Sequence, residues 1–269
     1  MNNILVTGGY GFIGSNFIKY FLKKHTNYNV FNLDSLTYAA DKKNLLSVEN
    51  DVRYKFIEGD IRNKNLVNDL FEEYKFCGVF HFAAESHVDN SIDSPEVFIQ
   101  TNVLGTFNLI NAAYNCWMES PFQYKNDSKN FRFHHVSTDE VYGSLGEIGL
   151  FSEHTPIAPN SPYSASKASS DMIIRSYCHT YGMNCIISNC SNNYGPQQNE
   201  EKLIPKTIKN ALSGKPIPIY GNGKNIRDWL YVDGHCSAID AIFHHGKSGE
   251  VYNIGGYCEK TNIEIVNTI

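Results

Sequence analysis

Two acidic residues stand side by side directly after an apolar stretch of the chain. Residues 133 to 136 have the composition of a strand end, and Asp139 and Glu140 follow them after Ser137 and Thr138. Such a pair is often a solvated turn or a helix N-cap, because short polar side chains satisfy free backbone N–H groups. Two carboxyls in one partly buried site also favour opposite protonation states, which suits paired acid and base chemistry. Both interpretations are open at this point.

A tyrosine and a lysine form a second pair with chemical potential. Tyr163 and Lys167 lie four residues apart in "SPYSASK", so a helix places them on one face. Ser161 is a fitting N-cap and Pro162 a fitting first helical residue. A nearby ammonium and a cationic nicotinamide ring both favour a phenolate over a phenol, which makes Tyr163 a candidate base. The alternative is an exposed Tyr and Lys without function.

A glycine-rich turn, "TGGYGFIG", follows the first apolar run. It fits G-x-G-x-x-G through Gly9, Gly11 and Gly14. It also fits G-x-x-G-x-x-G through Gly8, Gly11 and Gly14. Such glycines let the backbone approach phosphates at a helix N-terminus, although they also serve close strand-to-helix packing. Asp34 lies 20 residues past Gly14 at the end of the second predicted strand, where a carboxylate accepts from ribose hydroxyls and repels a 2′-phosphate. This spacing favours NAD over NADP.

Alternating short apolar runs and longer helical patterns position these groups. Strands are predicted at residues 3 to 7, 29 to 33, 54 to 58, 78 to 82, 131 to 137 and 184 to 189, and helices at 12 to 24, 63 to 75, 94 to 117, 162 to 181, 201 to 213 and 233 to 245. This alternation predicts an α/β, Rossmann-like, doubly wound parallel sheet. We expect an NAD-binding domain over 1–189 and a smaller, irregular substrate lobe over 190–269, interleaved with the first and truncated.

Composition restricts the class of partner. The net charge of −5, without a run of Lys or Arg, predicts a small-molecule partner and argues against nucleic acid or a membrane surface. Seven cysteines without a C-x-x-C pair suit a reducing compartment. No signal peptide or membrane span is recognisable, so a cytoplasmic location is expected. The adjacent His134 and His135 point to opposite faces of a strand, and no metal site is predicted.

Several motifs together resemble the extended short-chain dehydrogenase/reductase superfamily. Within it, "STDEVYG", "AAESHVD", "YSASKASSD", "NCSNNYGP", "IRDWLYV" and "YNIGG" are similar to the dTDP-glucose 4,6-dehydratase family. Epimerases of the superfamily carry small or hydroxyl residues in place of Asp139 and Glu140, and GDP-mannose dehydratase carries Ser-Glu. The acid pair is therefore the discriminating feature of the resemblance.

The resemblance implies a lyase reaction on the glucose unit. Tyr163 would deprotonate the C4 hydroxyl while hydride passes to NAD, and Lys167 would hold and tune Tyr163. Glu140 would then remove the C5 proton while a protonated Asp139 donates to the departing C6 hydroxyl. Thr138 would bind the sugar near C4. Return of hydride to C6 gives the 4-keto-6-deoxy sugar used in rhamnose or other deoxysugar biosynthesis.

The resemblance also implies contact residues. NAD contacts are expected at Gly8, Gly11, Phe12, Ile13, Gly14, Asp34, Asp60, Ile61, Ala83, Ala84, Thr101, Tyr163, Lys167 and Asn193. Substrate contacts are expected at Ser86, Thr138, Asn192, Lys202, Pro218, Tyr220, Arg227 and Asn262. The planar fork of Arg227 suits a diphosphate, and the alternative for this residue is a surface ion pair with Asp228.

Three points stay open in the sequence. The substrate is either dTDP-glucose or another nucleotide sugar such as UDP-glucose, because the base-reading loops carry the weakest part of the resemblance. A catalytically silent NAD-binding protein is a further alternative. A homodimer is expected through the helical segments 94 to 117 and 162 to 181, as in relatives that form a four-helix bundle.

Overall fold

A seven-stranded parallel sheet forms the centre of the chain, which this computed structural model describes over residues 1–145, 149–219 and 221–269. The described strands are β1 (Asn2–Thr7), β2 (Tyr28–Asp34), β3 (Tyr54–Glu58), β4 (Gly78–His81), β5 (Met118–Ser120), β6 (Gln123–Tyr124), β7 (Arg132–Thr138), β8 (Cys185–Cys190), β9 (Asn192–Tyr194), β10 (Ile226–Tyr231), β11 (Val251–Ile254) and β12 (Glu259–Thr261). The strand order in the seven-stranded sheet is β11-β8-β7-β4-β1-β2-β3. The strand order reverses at β1, which creates a crevice at the carboxyl ends of the strands.

Helices cover both faces of this sheet. They are α1 (Phe12–Lys24), α2 (Lys64–Tyr74), α3 (Val88–Asp93), α4 (Pro95–Phe98), α5 (Thr106–Trp117), α6 (Pro162–Tyr181), α7 (Leu203–Leu212), α8 (Val232–His245) and α9 (Asn262–Thr268). Along β1, Leu5 packs with α2, α5 and α6, whereas Ile4 and Val6 pack with α1 and α8. Both faces of the central strands are therefore buried, which explains their continuous apolar sequences.

The structure confirms the doubly wound α/β fold. All six predicted strands and six predicted helices are present within a few residues of their expected ends. The predicted helix 94 to 117 is interrupted by a π-helical segment, Ile99–Gly105, which carries Thr101 to the crevice. Strand β11 was not predicted and pairs in parallel with β8. The division into 1–189 and 190–269 stays a prediction.

The sequence predicts no membrane span and a reducing compartment, and these two predictions concern the helices and the cysteines. Among the described residues, no helix is both long enough and apolar enough to cross a membrane. All seven cysteines are free thiols, of which Cys185, Cys190 and Cys236 are buried.

An ion cluster joins the end of α1 to α8. Asp240 accepts hydrogen bonds from Lys24 at 2.7 Å and from His25 at 2.8 Å, and His244 Nδ1 lies 3.1 Å from the same carboxylate. Burial opposes ionisation of Asp240, but its three donors outweigh burial and hold its pKa well below the ordinary value. The same contact raises the pKa of His244. The donor atoms lie close enough to hold a metal ion, but the Lys24 ammonium already neutralises the carboxylate.

Replacing Asp240 with Asn is expected to destabilise the fold by about 1–2 kcal/mol in a pH-dependent way. The depressed pKa of Asp240 contributes stability above the acid's unfolded value, and the raised pKa of His244 contributes below the imidazole's unfolded value. The loss is therefore largest between about pH 4 and about pH 6.5 and shrinks as pH rises. Thermal unfolding across this range checks it, with the exposed Asp69→Asn as the matched control. A loss of stability in Asp240→Asn that does not vary with pH would contradict the link between stability and the shifted pKa values of Asp240 and His244.

Candidate active site

A pocket opens at the carboxyl ends of the central strands. Residues that follow β1, β2, β3, β4, β7 and β8 line it together with α6 and the π-helical segment. The predicted residues that line it are Gly8, Gly11, Phe12, Ile13, Gly14, Asp34, Asp60, Ile61, Ala83, Ala84, Ser86, Thr101, Thr138, Asp139, Glu140, Tyr163, Lys167, Asn192, Asn193 and Lys202. The structure therefore brings the glycine turn, the Tyr-Lys pair and the acid pair into one cavity.

The glycine turn leaves an uncapped helix N-terminus facing this pocket. Gly8 has a φ of 73°, and an added Cβ there would lie 2.7 Å from the backbone nitrogen of Ala83. At Gly14, a Cβ would meet the carbonyl oxygen of Gly8. Helix α1 begins without a side-chain cap or an acid in its first turn. Open N–H groups and a positive dipole end suit a diphosphate, so the residues present fit a dinucleotide.

Asp34 ends β2 at the side of this turn. One carboxylate oxygen accepts from Tyr10 N at 2.9 Å and the other from Leu36 N at 2.8 Å, which fixes the side chain in the pocket wall. Burial raises the pKa of Asp34, and the two backbone hydrogen bonds oppose that rise. Each oxygen keeps a free lone pair, so the carboxylate can accept from a ribose hydroxyl.

The Asp34→Asn substitution is expected to reduce the preference for NAD over NADP by at least about tenfold, since removing a charge lowers the repulsion of a 2′-phosphate. Calorimetric titration with each dinucleotide gives the ratio of dissociation constants. Glu58→Gln is the matched control, because Glu58 pairs in register with Asp34 on β3 but lies outside the pocket. An unchanged ratio in Asp34→Asn would remove Asp34 from the ribose site.

The Tyr-Lys pair lies on α6 as predicted. Ser161 caps the helix in a capping box with Ser164, and Pro162 is its first residue. Burial raises the pKa of Tyr163 well above its ordinary value, and a hydrogen bond with Thr138 opposes the rise. Among the described residues, no hydrogen bond joins Lys167 to Tyr163. The Lys167 ammonium instead donates to Val136 O at 2.9 Å on the pocket floor.

The acid pair occupies a 3₁₀ turn, Asp139–Tyr142, directly after β7. Thr138 is the cap of this turn, since its hydroxyl accepts from Glu140 N at 3.3 Å. Neither carboxylate caps the turn, and both line the pocket. The structure therefore contradicts the cap interpretation of the acid pair.

Burial and the cation Arg227 act on both carboxyls, whose other charged neighbours differ. Burial and then the charge of Glu140 raise the pKa of Asp139 to about 6. Burial also raises the pKa of Glu140, but the cations Arg227 and Lys202 oppose it. A proton shared by the pair is therefore held better by Asp139, and Glu140 is the better carboxylate. This asymmetry suits an acid at Asp139 and a base at Glu140.

Three predicted substrate residues in the described part of the chain are not among the residues that line the pocket. Pro218, Arg227 and Asn262 do not line it, and Tyr220 lies outside the described residues. Arg227 is exposed on β10, but its charge acts on both acids. The alternative prediction for Arg227 is an ion pair with Asp228, and the described residues form no such pair. The Asp228 carboxylate instead accepts from Gly256 N at 2.6 Å and Cys258 N at 2.7 Å.

Sequence reasoning missed several polar pocket residues. These include Tyr38, Arg62, Glu85, Ser137 and Glu201. Glu85 and Ser137 lie inside motifs that carried other predictions, so their position after a strand was an available signal. Arg62 donates to Asp60 at 2.6 Å, and Glu201 lies 3.5 Å from His87. Glu201 precedes the predicted Lys202 in "EKLIP", and Arg62 follows the predicted Asp60 and Ile61 after β3, so a signal was available for both residues.

Comparisons with known proteins give a consistent family. The family model for GDP-mannose 4,6 dehydratase matches residues 5–269. A dTDP-glucose 4,6-dehydratase of Xanthomonas campestris pv. campestris is 52% identical over 98% of this chain and 74% of its own length. A Bacillus anthracis dTDP-glucose 4,6-dehydratase in complex with NAD is 48% identical, with a TM-score of 0.88 over 99% of this chain and 79% of that one. The Streptomyces venezuelae dTDP-glucose 4,6-dehydratase, solved with NAD bound, is 44% identical, with a TM-score of 0.90 over 99% and 79% of the two chains.

Proposed function

Because the chain belongs to the nucleotide-sugar 4,6-dehydratase family that the GDP-mannose 4,6 dehydratase model describes, we propose that it is an NAD-dependent hydro-lyase acting on dTDP-glucose. The product is dTDP-4-keto-6-deoxyglucose, and water is released. The observation that carries the proposal is the acid pair, Asp139 and Glu140, in one pocket with Tyr163. The relatives at about half identity are named for dTDP-glucose, which favours this sugar over GDP-mannose.

Elimination of water across C5 and C6 needs an acidic C5 proton. Tyr163 removes the C4 hydroxyl proton, which allows oxidation of C4 to a ketone and makes the C5 proton α to a carbonyl. Bound NAD supplies the hydride acceptor at C4 and later the hydride donor at C6. Its phosphates fit the open N-terminus of α1, and its ribose fits Asp34.

The acid pair performs the elimination. Glu140, whose ionised form Arg227 and Lys202 favour, removes the C5 proton. Asp139, whose pKa is raised to about 6, donates a proton to the departing C6 hydroxyl, so that water leaves. Glu140 then returns its proton to C5 as C6 is reduced, which gives the 6-deoxy sugar. Thr138 binds near the C4 oxygen from its position beside Tyr163.

Parallel incubation with dTDP-glucose, UDP-glucose and GDP-mannose tests this proposal. The alkaline absorbance of the 4-keto-6-deoxy product reports turnover. We expect dTDP-glucose to react fastest by at least about tenfold, which corresponds to about 1.4 kcal/mol of transition-state binding. Faster conversion of UDP-glucose or GDP-mannose would reassign the nucleotide, and tight NAD binding without turnover of any sugar would favour the silent NAD-binding alternative.

We expect the chain to form a homodimer through the helices at residues 94 to 117 and 162 to 181. Large apolar side chains are exposed there, at Leu104, Phe107 and Met172. Burying such side chains between two copies would remove apolar surface from water. Light scattering at micromolar concentration should give twice the chain mass, and Phe107→Asp should give a monomer. Leu212→Asp, at an exposed residue of α7, is the matched control. A monomeric unmodified chain would contradict the prediction.

A cytoplasmic location fits the free thiols. All seven cysteines are free in the structure, which is the state that a reducing compartment maintains.

A further inference from the structure

A buried polar cluster lies beneath Lys167. The Lys167 ammonium donates to Val136 O at 2.9 Å and lies 3.4 Å from His135 Nε2. His135 Nε2 is 3.3 Å from Asp171 Oδ1, and Ser137 Oγ donates to Asp171 Oδ2 at 2.9 Å. Lys167, His135, Ser137 and Asp171 are all at most 4% exposed. Lys167 and Ser137 line the pocket, whereas His135 and Asp171 lie beneath it and do not.

The cluster combines residues spaced four apart on a helix with residues spaced two apart on a strand. Lys167 and Asp171 are four residues apart on α6, so they share one face of the helix. His135 and Ser137 are two residues apart on β7, so they share one face of the strand. Helix α6 packs on that face of β7. His134 points the other way, and its Nε2 lies 2.9 Å from Ser188 Oγ.

A buried ammonium requires a counter-charge, because desolvation favours its neutral form. Burial lowers the pKa of Lys167 to about 8, and the charge of Asp171 opposes that fall. Burial raises the pKa of Asp171 to about 7, and Lys167 opposes that rise. Each group therefore stabilises the charged form of the other.

The other titratable groups around Lys167 do not replace Asp171. Burial holds the pKa values of His135 and His81 well below the ordinary value, so both rings are neutral. Burial raises the pKa of Cys190 to about 12, which keeps that thiol protonated. Tyr163 lies on the pocket side and is also neutral. Among the described residues, Asp171 is therefore the acid that acts on Lys167.

We propose that Asp171 and His135 are positioning residues that keep Lys167 charged and fixed at the floor of the pocket. Asp171 supplies the counter-charge, the neutral His135 ring accepts from the Lys167 ammonium through Nε2, and Ser137 orients Asp171. The proposal rests on the proposed function only through the role that the resemblance implies for Lys167, which is to hold and tune Tyr163. Neither Asp171 nor His135 touches the substrate.

Direct titration of Lys167 in the whole protein tests the pair. Lysine ε-carbon NMR resonances are followed against pH, and the signal lost in Lys167→Met identifies Lys167. Asp171→Asn is isosteric and removes only the charge. We expect the midpoint of Lys167 to fall by at least about one pH unit, a tenfold change in its acid dissociation constant. An unchanged midpoint would overturn the proposal, whether or not the protein converts a sugar.

Steady-state kinetics separates positioning from general structural damage. Because activity needs a charged Lys167, we expect kcat of Asp171→Asn to decline at a pH lower by about one unit, with KM for dTDP-glucose within about twofold. A uniform loss of kcat at every pH would contradict the proposal. If the unmodified protein converts no sugar, the proposed function fails while the NMR titration still decides the role of Asp171.

A matched pair of histidine variants provides a second test that does not depend on Asp171→Asn folding. His135→Gln removes the ring nitrogen that accepts from Lys167, whereas His134→Gln removes an equally buried ring on the opposite face of β7. We expect only His135→Gln to move the Lys167 midpoint. Equal effects of the two variants would show that burial alone controls Lys167.

Discussion

Glu140→Gln is expected to lower kcat by about 10²–10⁴-fold and to abolish exchange of the C5 proton with solvent. The reason is that Glu140 is the carboxylate stabilised by Arg227 and Lys202, whereas an amide cannot accept the C5 proton. Deuterium incorporation at C5 of recovered sugar, measured by mass spectrometry in heavy water, checks the result. NAD binding should be retained, because Glu140 is not among the predicted NAD contacts.

Asp139→Asn is expected to slow product formation by a similar factor but to leave C5 exchange in place. Asp139 acts only when the C6 hydroxyl departs, after the proton at C5 has become labile. This contrast in C5 exchange distinguishes the acid from the base. Glu119→Gln removes a carboxylate at an exposed residue outside the pocket and is the matched control. If Asp139→Asn loses exchange and Glu140→Gln keeps it, the two roles are reversed.

Tyr163→Phe is expected to lower kcat by about 10²–10⁴-fold at a step before elimination. Oxidation at C4 needs a base at the hydroxyl, and Phe cannot hold a proton. Because burial raises the pKa of Tyr163, we also expect kcat of the unmodified enzyme to rise with pH until loss of the Lys167 charge lowers it. Rapid mixing with dTDP-glucose, followed by NADH absorbance, checks this prediction.

Adding Tyr163→Phe to Glu140→Gln tests the oxidation step separately from the elimination. Glu140→Gln should still form NADH from bound NAD, since oxidation precedes elimination, whereas the double variant with Tyr163→Phe should not. Tyr181→Phe, at the end of the same helix, is the matched control and should behave as the unmodified chain. NADH formation at normal rate in Tyr163→Phe would exclude Tyr163 as the base.

Much of the site followed from local sequence patterns. The glycine turn, Asp34 and the four-residue spacing of Tyr163 and Lys167 each predict their own position, because a helix start, a strand end and a helix face are short-range features. The acid pair after β7 was located for the same reason. Parallel strands then bring their carboxyl ends to one edge, so these separate motifs meet in one pocket.

Long-range packing decided what the local patterns left open. Strand β11 joins the sheet only by pairing with β8, a contact between segments distant along the chain. The positions of Pro218 and Asn262 outside the pocket depend equally on how the C-terminal segments pack.

By itself, the sequence determined the fold class and located the glycine turn and most of the candidate side chains that line the pocket, since these depend on residue type and spacing. Only the tertiary structure decided how those side chains are charged. Desolvation raises the pKa of both acids, and cations from distant segments oppose the rise, Arg227 at both acids and Lys202 at Glu140. The same physics places Asp171 under Lys167, because a pKa depends on every charge and on the burial around a group, wherever in the chain these arise.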